Sequence, residues 1–237
     1  MSYLILVRHG QSVWNLEKRF TGWVDVDLTE NGKLEAKKAG DLIKANKINI
    51  DLYYSSLQLR AKNTLKLIQE ILRDTKVSIK AWQLNERHYG ALTGLNKDEM
   101  KKKLGEDKVY QFRRSWDLRP DPLNKSSPYH PINIETYKGM SVNKIPDTES
   151  LKDTYERVLD FYKEEIENKT TKNNILISAH GNSIRALCKY LFKLDNDQIS
   201  KLEIPTGNPL LINFDNKSKI VNCKYLDNER AKDLLIF

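Results

Sequence analysis

The chain has 237 residues, 39% of them hydrophobic and 30% charged. That is the balance of an ordinary globular protein able to bury one sizeable core. No apolar run approaches the roughly 20 residues of a membrane-spanning helix, and the net charge of +8 is spread over lysines interrupted by acids, as in GKLEAKKAGD and KDEMKKKLGEDK. A solvated Lys-rich surface follows, with no membrane partner. No nucleic-acid partner is expected either, since no basic strip is interleaved with aromatics.

In chain order, LILVRHG opens the pattern: an apolar run from residue 3 to Arg8, then a polar turn at His9-Gly10. No basic leader precedes it, so a cytoplasmic protein is expected. Thr29 is a plausible N-cap for a helix whose inner face carries Ala36, Ala39 and Ile43. DLYYSS (51–56) reads as a second strand. The stripe Leu57, Ala61, Leu65, Ile68 and Leu72 predicts a helix over 57–73. VSIKAW (77–82) reads as a third strand. Residues 117–147 hold Pro120, Pro122, Pro128, Pro131 and Pro146, with turn chemistry and little periodicity. A loop that long inside one domain is usually functional or mobile.

Helical periodicity resumes at Leu151, Tyr155, Val158, Tyr162 and Ile166, after Thr148 or Ser150 as cap. NILISAHGNSIRAL then repeats the opening design: a strand over 174–179, His180-Gly181, and a helix from about Ser183 to Phe192. LLINF (210–214) and IVNCKYL (220–226) read as two more strands. Strands alternating with helices predict an α/β fold with a mostly parallel central sheet flanked by helices on both faces. One domain over 1–237 is expected, with a loop insertion around 117–147 and a mobile tail over 227–237.

In such sheets ligands sit beyond the carboxyl ends of the strands, where His9 and His180 fall. A glycine turn lets backbone N–H groups approach an anion, and the Arg8 guanidinium is a planar fork matched to phosphate oxygens. A neutral imidazole beside that cradle is a nucleophile, so the arrangement suits phosphoryl transfer to His9. Arg8, Arg60 and His180 offer positive charge and donors to the equatorial oxygens, and Asn182 adds a donor. Glu86, in LNERHYGAL, is placed to be the acid–base group when a bound anion favours its protonated form.

The four histidines lack metal-site spacing and no CxxC exists, so no metal is expected. Cys188 and Cys223 suit a reducing compartment, and Cys188 reads as a small buried hydrophobe. His88 and His130 read as structural, and packing explains Trp14, Trp23 and Trp116.

The ordered set LVRHGQSVWNLEKRFTGWVDVDLTENG, YSSLQLRAKNT, LNERHYGALTGLNK, QFRRSWD, SAHGNSIRAL and IPTGNPL resembles the cofactor-dependent phosphoglycerate mutases of the histidine phosphatase superfamily, from residue 3 to about 226. The resemblance implies interconversion of 3-phosphoglycerate and 2-phosphoglycerate without a metal, 2,3-bisphosphoglycerate priming His9. It implies that Glu86 moves the proton while Arg8, Arg60 and His180 hold the transferring phosphoryl group. Ser12, Asn15, Thr21, Gly22, Gly181 and Asn182 match phosphate- and substrate-contacting motifs. Tyr89, Lys97, Arg113 and Arg114 match residues gripping the substrate's other end. A homodimer or higher homo-oligomer is implied. Three alternatives stand beside this: a phosphatase of the superfamily, a bisphosphoglycerate mutase, and a non-catalytic phosphate-binding module. The tail departs from the family pattern by ending in LLIF.

Overall fold

The computed structural model describes residues 2–231. The opening apolar run forms β1 (Ser2–Arg8), near the middle of a six-stranded sheet. With β2 (Leu52–Ser55), β3 (Ser78–Lys80), β4 (Ile175–Ala179), β5 (Leu210–Phe214) and β6 (Ile220–Tyr225), the order is β3-β2-β4-β1-β5-β6. The first four of these are mutually parallel, and β5 and β6 add an antiparallel edge. The predicted α/β class is what forms.

Alternation along the strands divides the core. Leu4 and Leu6 of β1 join Ile175 and Ile177 on one face. Ile5 and Val7 join Tyr53 and Leu176 on the other. The first face is covered by α6 (Leu151–Phe161) and α7 (Gly181–Leu191), through Val158, Phe161, Ile184 and Leu187. The second is covered by α2 (Glu30–Ala45) and α3 (Leu59–Leu72), through Ala39, Ile43, Leu65 and Ile68. Helices therefore flank both faces. The remaining helices are short: α1 (Val13–Leu16), α4 (Lys97–Leu104), α5 (Glu106–Arg114) and α8 (Asn196–Lys201). Phe20, Leu92, Met100 and Val109 form a separate small cluster beneath α4 and α5.

Thr29 caps α2, its Oγ1 accepting from Gly32 N at 3.0 Å. Of the two candidate caps for α6 it is Ser150, in a reciprocal box with Asp153; Thr148 instead donates to Pro120 O at 2.7 Å. The helix after β2 begins at Leu59 rather than Leu57, because Asn85 Oδ1 accepts from Leu57 N and Ser56 Oγ from Gln58 N. α7 begins at Gly181, two residues before its predicted start. The α-helical stretch of α6 ends at Phe161, and a π-turn over Tyr162–Ile166 carries the buried pattern onward. The third strand covers only Ser78–Lys80, and Trp82 opens a 3₁₀ turn.

The Pro-rich region is a packed strap. It holds 3₁₀ turns at Pro131–Asn133, Glu135–Tyr137 and Val142–Lys144. Tyr137 is buried and donates to Trp23 O at 2.5 Å, and His130 is buried against Asp147 at 2.8 Å. Cys188 is fully buried. Of the predicted mobile tail, the described part is held: Arg230 donates to Thr206 O at 2.5 Å. Residues 232–237 lie outside the described residues. Among those described, no helix is long and apolar enough to cross a membrane.

Candidate active site

Parallel pairing of β1 with β4 puts Arg8 opposite Ala179, so the next residue of each strand is a histidine. His9 N donates to Ala179 O at 3.0 Å, and the His9 and His180 ring centroids are 5.0 Å apart. The two His-Gly loops, distant in sequence, thus form one floor. Glycine is required behind His9: a Cβ on Gly10 would lie 2.1 Å from Gly32 O of α2.

The His9 ring is 2% exposed. Its Nδ1 lies 2.7 Å from Gly10 O, and a carbonyl can only accept, so Nδ1 carries the proton and Nε2 keeps the lone pair. Burial, then the Arg60 and Arg8 charges, push its pKa well below the usual imidazole value, which holds it neutral. Burial and Arg60 do the same for His180. His180 Nε2 pairs with Ser56 Oγ at 2.8 Å, while its Nδ1 is buried without a partner among the described residues.

Arg60, from the first turn of α3, is 1% exposed. Its fork donates to Val24 O and Gly22 O, each at 2.8 Å. Gly22 turns its carbonyl there from φ +53°, a left-handed conformation that suits glycine. Arg8 Nη1 donates to Ile204 O at 2.8 Å, and its Nε is buried without a partner among the described residues. The unpartnered Nε–H of Arg8, and the Nδ1 of His180 in the tautomer whose Nε2 accepts from Ser56, fit an anion beside a neutral His9.

Glu86 enters from the segment after β3 and is 8% exposed. Its Oε1 accepts from Arg87 N at 2.7 Å and from Asn182 Nδ2 at 2.8 Å. The backbone behind it is clamped by Arg157 of α6, which donates to Asn85 O and Glu86 O, both at 3.0 Å, and pairs with Glu149. The same pocket is also lined by Tyr89, Lys97, Arg113 and Arg114, and by Asn15, Thr21, Gly22, Gly181 and Asn182. Lys97 opens α4, and the two arginines close α5. Burial, with Arg113 and Arg8 nearby, pushes Lys97 down to about 8.

Like His180, whose ring stands behind that of His9, Ser12 lies outside the pocket lining. It is fully buried, and its Oγ caps α1 by accepting from Asn15 N at 3.3 Å. Four residues of the wall are not among the expected site groups: Arg19, Arg185, Glu203 and Ile204. Arg19 accepts Lys97 on its carbonyl, and Glu203 pairs with Arg114. His88 and His130 stand outside the pocket, with ring centroids 6.2 Å apart. Among the described residues, no group of three or more His, Cys, Asp or Glu is arranged to hold a metal ion.

Solved structures share this fold. A mycobacterial glucosyl-3-phosphoglycerate phosphatase, solved with VO3, superposes at TM-score 0.67 with 22% identity, covering 95% of this chain and 97% of that one. A phosphoserine phosphatase from Entamoeba histolytica, in complex with 3-phosphoglyceric acid, gives 0.66 with 20% identity over 95% and 96%. Residues 4–131 and 129–225 match the histidine phosphatase superfamily (branch 1), the class of protein to which a sheet ending in paired His-Gly loops points. Among curated relatives, the 2,3-bisphosphoglycerate-dependent phosphoglycerate mutase of Pelagibacter ubique is 72% identical over the full length of both chains. The enzyme of that name from a Caulobacter species is 49% identical over 99% of this chain and 98% of its own. The chain belongs to the 2,3-bisphosphoglycerate-dependent phosphoglycerate mutase family of that superfamily.

Proposed function

We propose that the chain interconverts 3-phosphoglycerate and 2-phosphoglycerate, with His9 as phosphoryl carrier and Glu86 as proton carrier. The observation that carries this is the His9 hydrogen bond to Gly10 O, which leaves Nε2 free to attack in a ring held neutral. In priming, the His9 nitrogen forms a P–N bond as a P–O bond of 2,3-bisphosphoglycerate breaks. Arg8, Arg60 and His180 offset charge on the equatorial oxygens, and Glu86 donates its proton to the departing alkoxide. Phospho-His9 then gives the group to the free hydroxyl of a bound phosphoglycerate while Glu86 takes up that hydroxyl's proton, and the bisphosphorylated intermediate turns round before His9 takes back its other phosphoryl group. When bound, 2,3-bisphosphoglycerate supplies the phosphoryl group that primes His9. Its two phosphates and carboxylate fit a pocket lined by Arg8, Arg60, Lys97, Arg113 and Arg114.

The distal cations favour the mutase over a phosphatase. An acceptor held by Lys97, Arg113 and Arg114, with Tyr89 and Asn182 as further donors, stays long enough to be rephosphorylated before water reaches phospho-His9. Exposed Val77 and Ile79 at the β3 edge support a homodimer, and a cytoplasmic location accords with two cysteines left unpaired.

The test is product identity. Supplied with 3-phosphoglycerate and a trace of 2,3-bisphosphoglycerate, the protein is expected to form 2-phosphoglycerate in large excess over free phosphate. Free phosphate as the main product would make it a phosphatase.

A further inference from the structure

Arg185 sits one turn into α7 and is 3% exposed. Its guanidinium is costly there. Burial, then Arg114 and Arg87, lower its pKa to about 9, and its Nε is buried without a partner among the described residues. Its Nη2 donates to Ile199 O of α8, a bond that ties the two helices but leaves Nη1 for another partner. The charge therefore calls for a reason in the groups it meets, and the informative one is Asn182. Arg185 Nη1 donates to Asn182 Oδ1 at 3.0 Å. A guanidinium has no acceptor, so the oxygen of that carboxamide must face Arg185 and its NH2 must face the other way. The two hydrogens then go to Glu86 Oε1 at 2.8 Å and Tyr89 Oη at 3.1 Å. With Arg87 N at 2.7 Å and Asn182 N at 3.3 Å, Glu86 Oε1 receives three N–H donors.

We propose that Arg185 is a positioning residue for proton transfer: it locks the Asn182 carboxamide with its NH2 toward Glu86, which saturates Oε1 and leaves Oε2 to carry the transferable proton. This rests on Glu86 as the proton carrier. Released from Arg185, the amide can turn its oxygen to Glu86, which removes a donor from the carboxylate and favours its protonated form. The other charges facing Glu86 stay in place: Arg60 of α3 and Lys97 of α4, and Arg157 of α6 on its carbonyl. Those facing Arg185 are Arg114, Arg87, Glu203 and the Tyr89 hydroxyl.

The experiment follows the ¹³C carboxyl signal of Glu86, identified by its loss in Glu86→Gln, across pH in the wild type, Arg185→Met and Arg185→Lys. In Arg185→Met the pH of half-protonation is expected to rise by about one unit, and the acid limb of kcat/KM to move with it. Arg185→Lys keeps a donor and is expected to titrate close to wild type. Wild-type titration in Arg185→Met, or an equal shift in both variants, would overturn the proposal. In the wild type itself, the Asn182 NH2 protons are expected to give nuclear Overhauser contacts to Tyr89. Contacts to Arg185 instead would overturn it without any variant. The carboxyl titration reads Glu86 whether or not the enzyme turns over. Failure of the mutase reading would appear separately, as absence of 2-phosphoglycerate from the wild type.

Discussion

The His9 end of the pocket is built on the large sheet, whereas the Lys97–Arg113–Arg114 end is built on two short helices over a small cluster of its own. At the first end His9, Arg60 and His180 are 2% exposed or less. Arg60 is held by two main-chain carbonyls, and His9 by its own loop. At the second, Lys97, Arg113 and Arg114 are half-buried, and the core under them is Phe20, Leu92, Met100 and Val109. The difference suits the two tasks. Charge development at phosphorus is stabilised best by groups that need not move. An intermediate that must turn round before giving back a phosphoryl group is served by cations on smaller, less embedded elements.

The comparison can be broken at either end. The largest effect is expected at the rigid one. Glu86→Gln keeps the shape and the backbone clamp but carries no transferable proton, so kcat should fall roughly 10²–10⁴-fold, with KM for 3-phosphoglycerate nearly unchanged. A KM effect of similar size would mean that Glu86 chiefly binds substrate.

At the other end, the double variant Arg113→Ala/Arg114→Ala removes hydrogen bonds to charged groups that contribute about 1.5–3 kcal/mol. KM should rise roughly ten- to a hundredfold, and the ratio of free phosphate to 2-phosphoglycerate should rise as phospho-His9 loses its acceptor. If neither moves, the distal arginines are surface charges and the preference for mutase over phosphatase loses its support.

The smallest effect is a pH dependence confined to the distal end. Lys97, lowered to about 8 by burial and by Arg113 and Arg8, is charged below that pH and neutral above it. The KM for 3-phosphoglycerate should therefore be flat from about pH 6.5 to 7.5 and rise several-fold by about pH 9. Lys97→Arg, which stays charged, should flatten that rise. An alkaline rise that persists in Lys97→Arg would assign it to another group.

The same division separates what was legible in the sequence from what was not. An apolar run ending in His-Gly is a local signal. Because parallel sheets present their strand ends together, two such runs mark His9 and His180 as parts of one site. The distal end is carried by α4 and α5, whose sequences are so charged that Met100 and Val109 are their only fully buried residues. Periodicity had little to register there, and Lys97, Arg113 and Arg114 came from motif resemblance instead. Ser12 carries a second role. The resemblance matches it to phosphate- and substrate-contacting motifs, and Ser-x-x-Asn is also a reciprocal capping pattern whose bonds form. Arg19 meets Lys97 far along the chain, and Arg185 reaches Glu86 only through Asn182, a link that the fold supplies, so no local pattern marks either. The 117–147 strap reads as functional or mobile because its burial needs tertiary partners that no periodicity shows: Tyr137 meets Trp23, and His130 meets Asp147 at the far end of the strap.

Phosphoryl transfer through His9 is tested most directly by intact mass after incubation with 2,3-bisphosphoglycerate. A neutral, Nδ1-protonated His9 should take up one phosphoryl group, stable in base and lost in acid as a P–N bond requires, and peptide mapping should place it on His9. His9→Ala should take up none and form no 2-phosphoglycerate. An acid-labile phosphoryl group of equal stoichiometry in His9→Ala would contradict the assignment and move the nucleophile to His180.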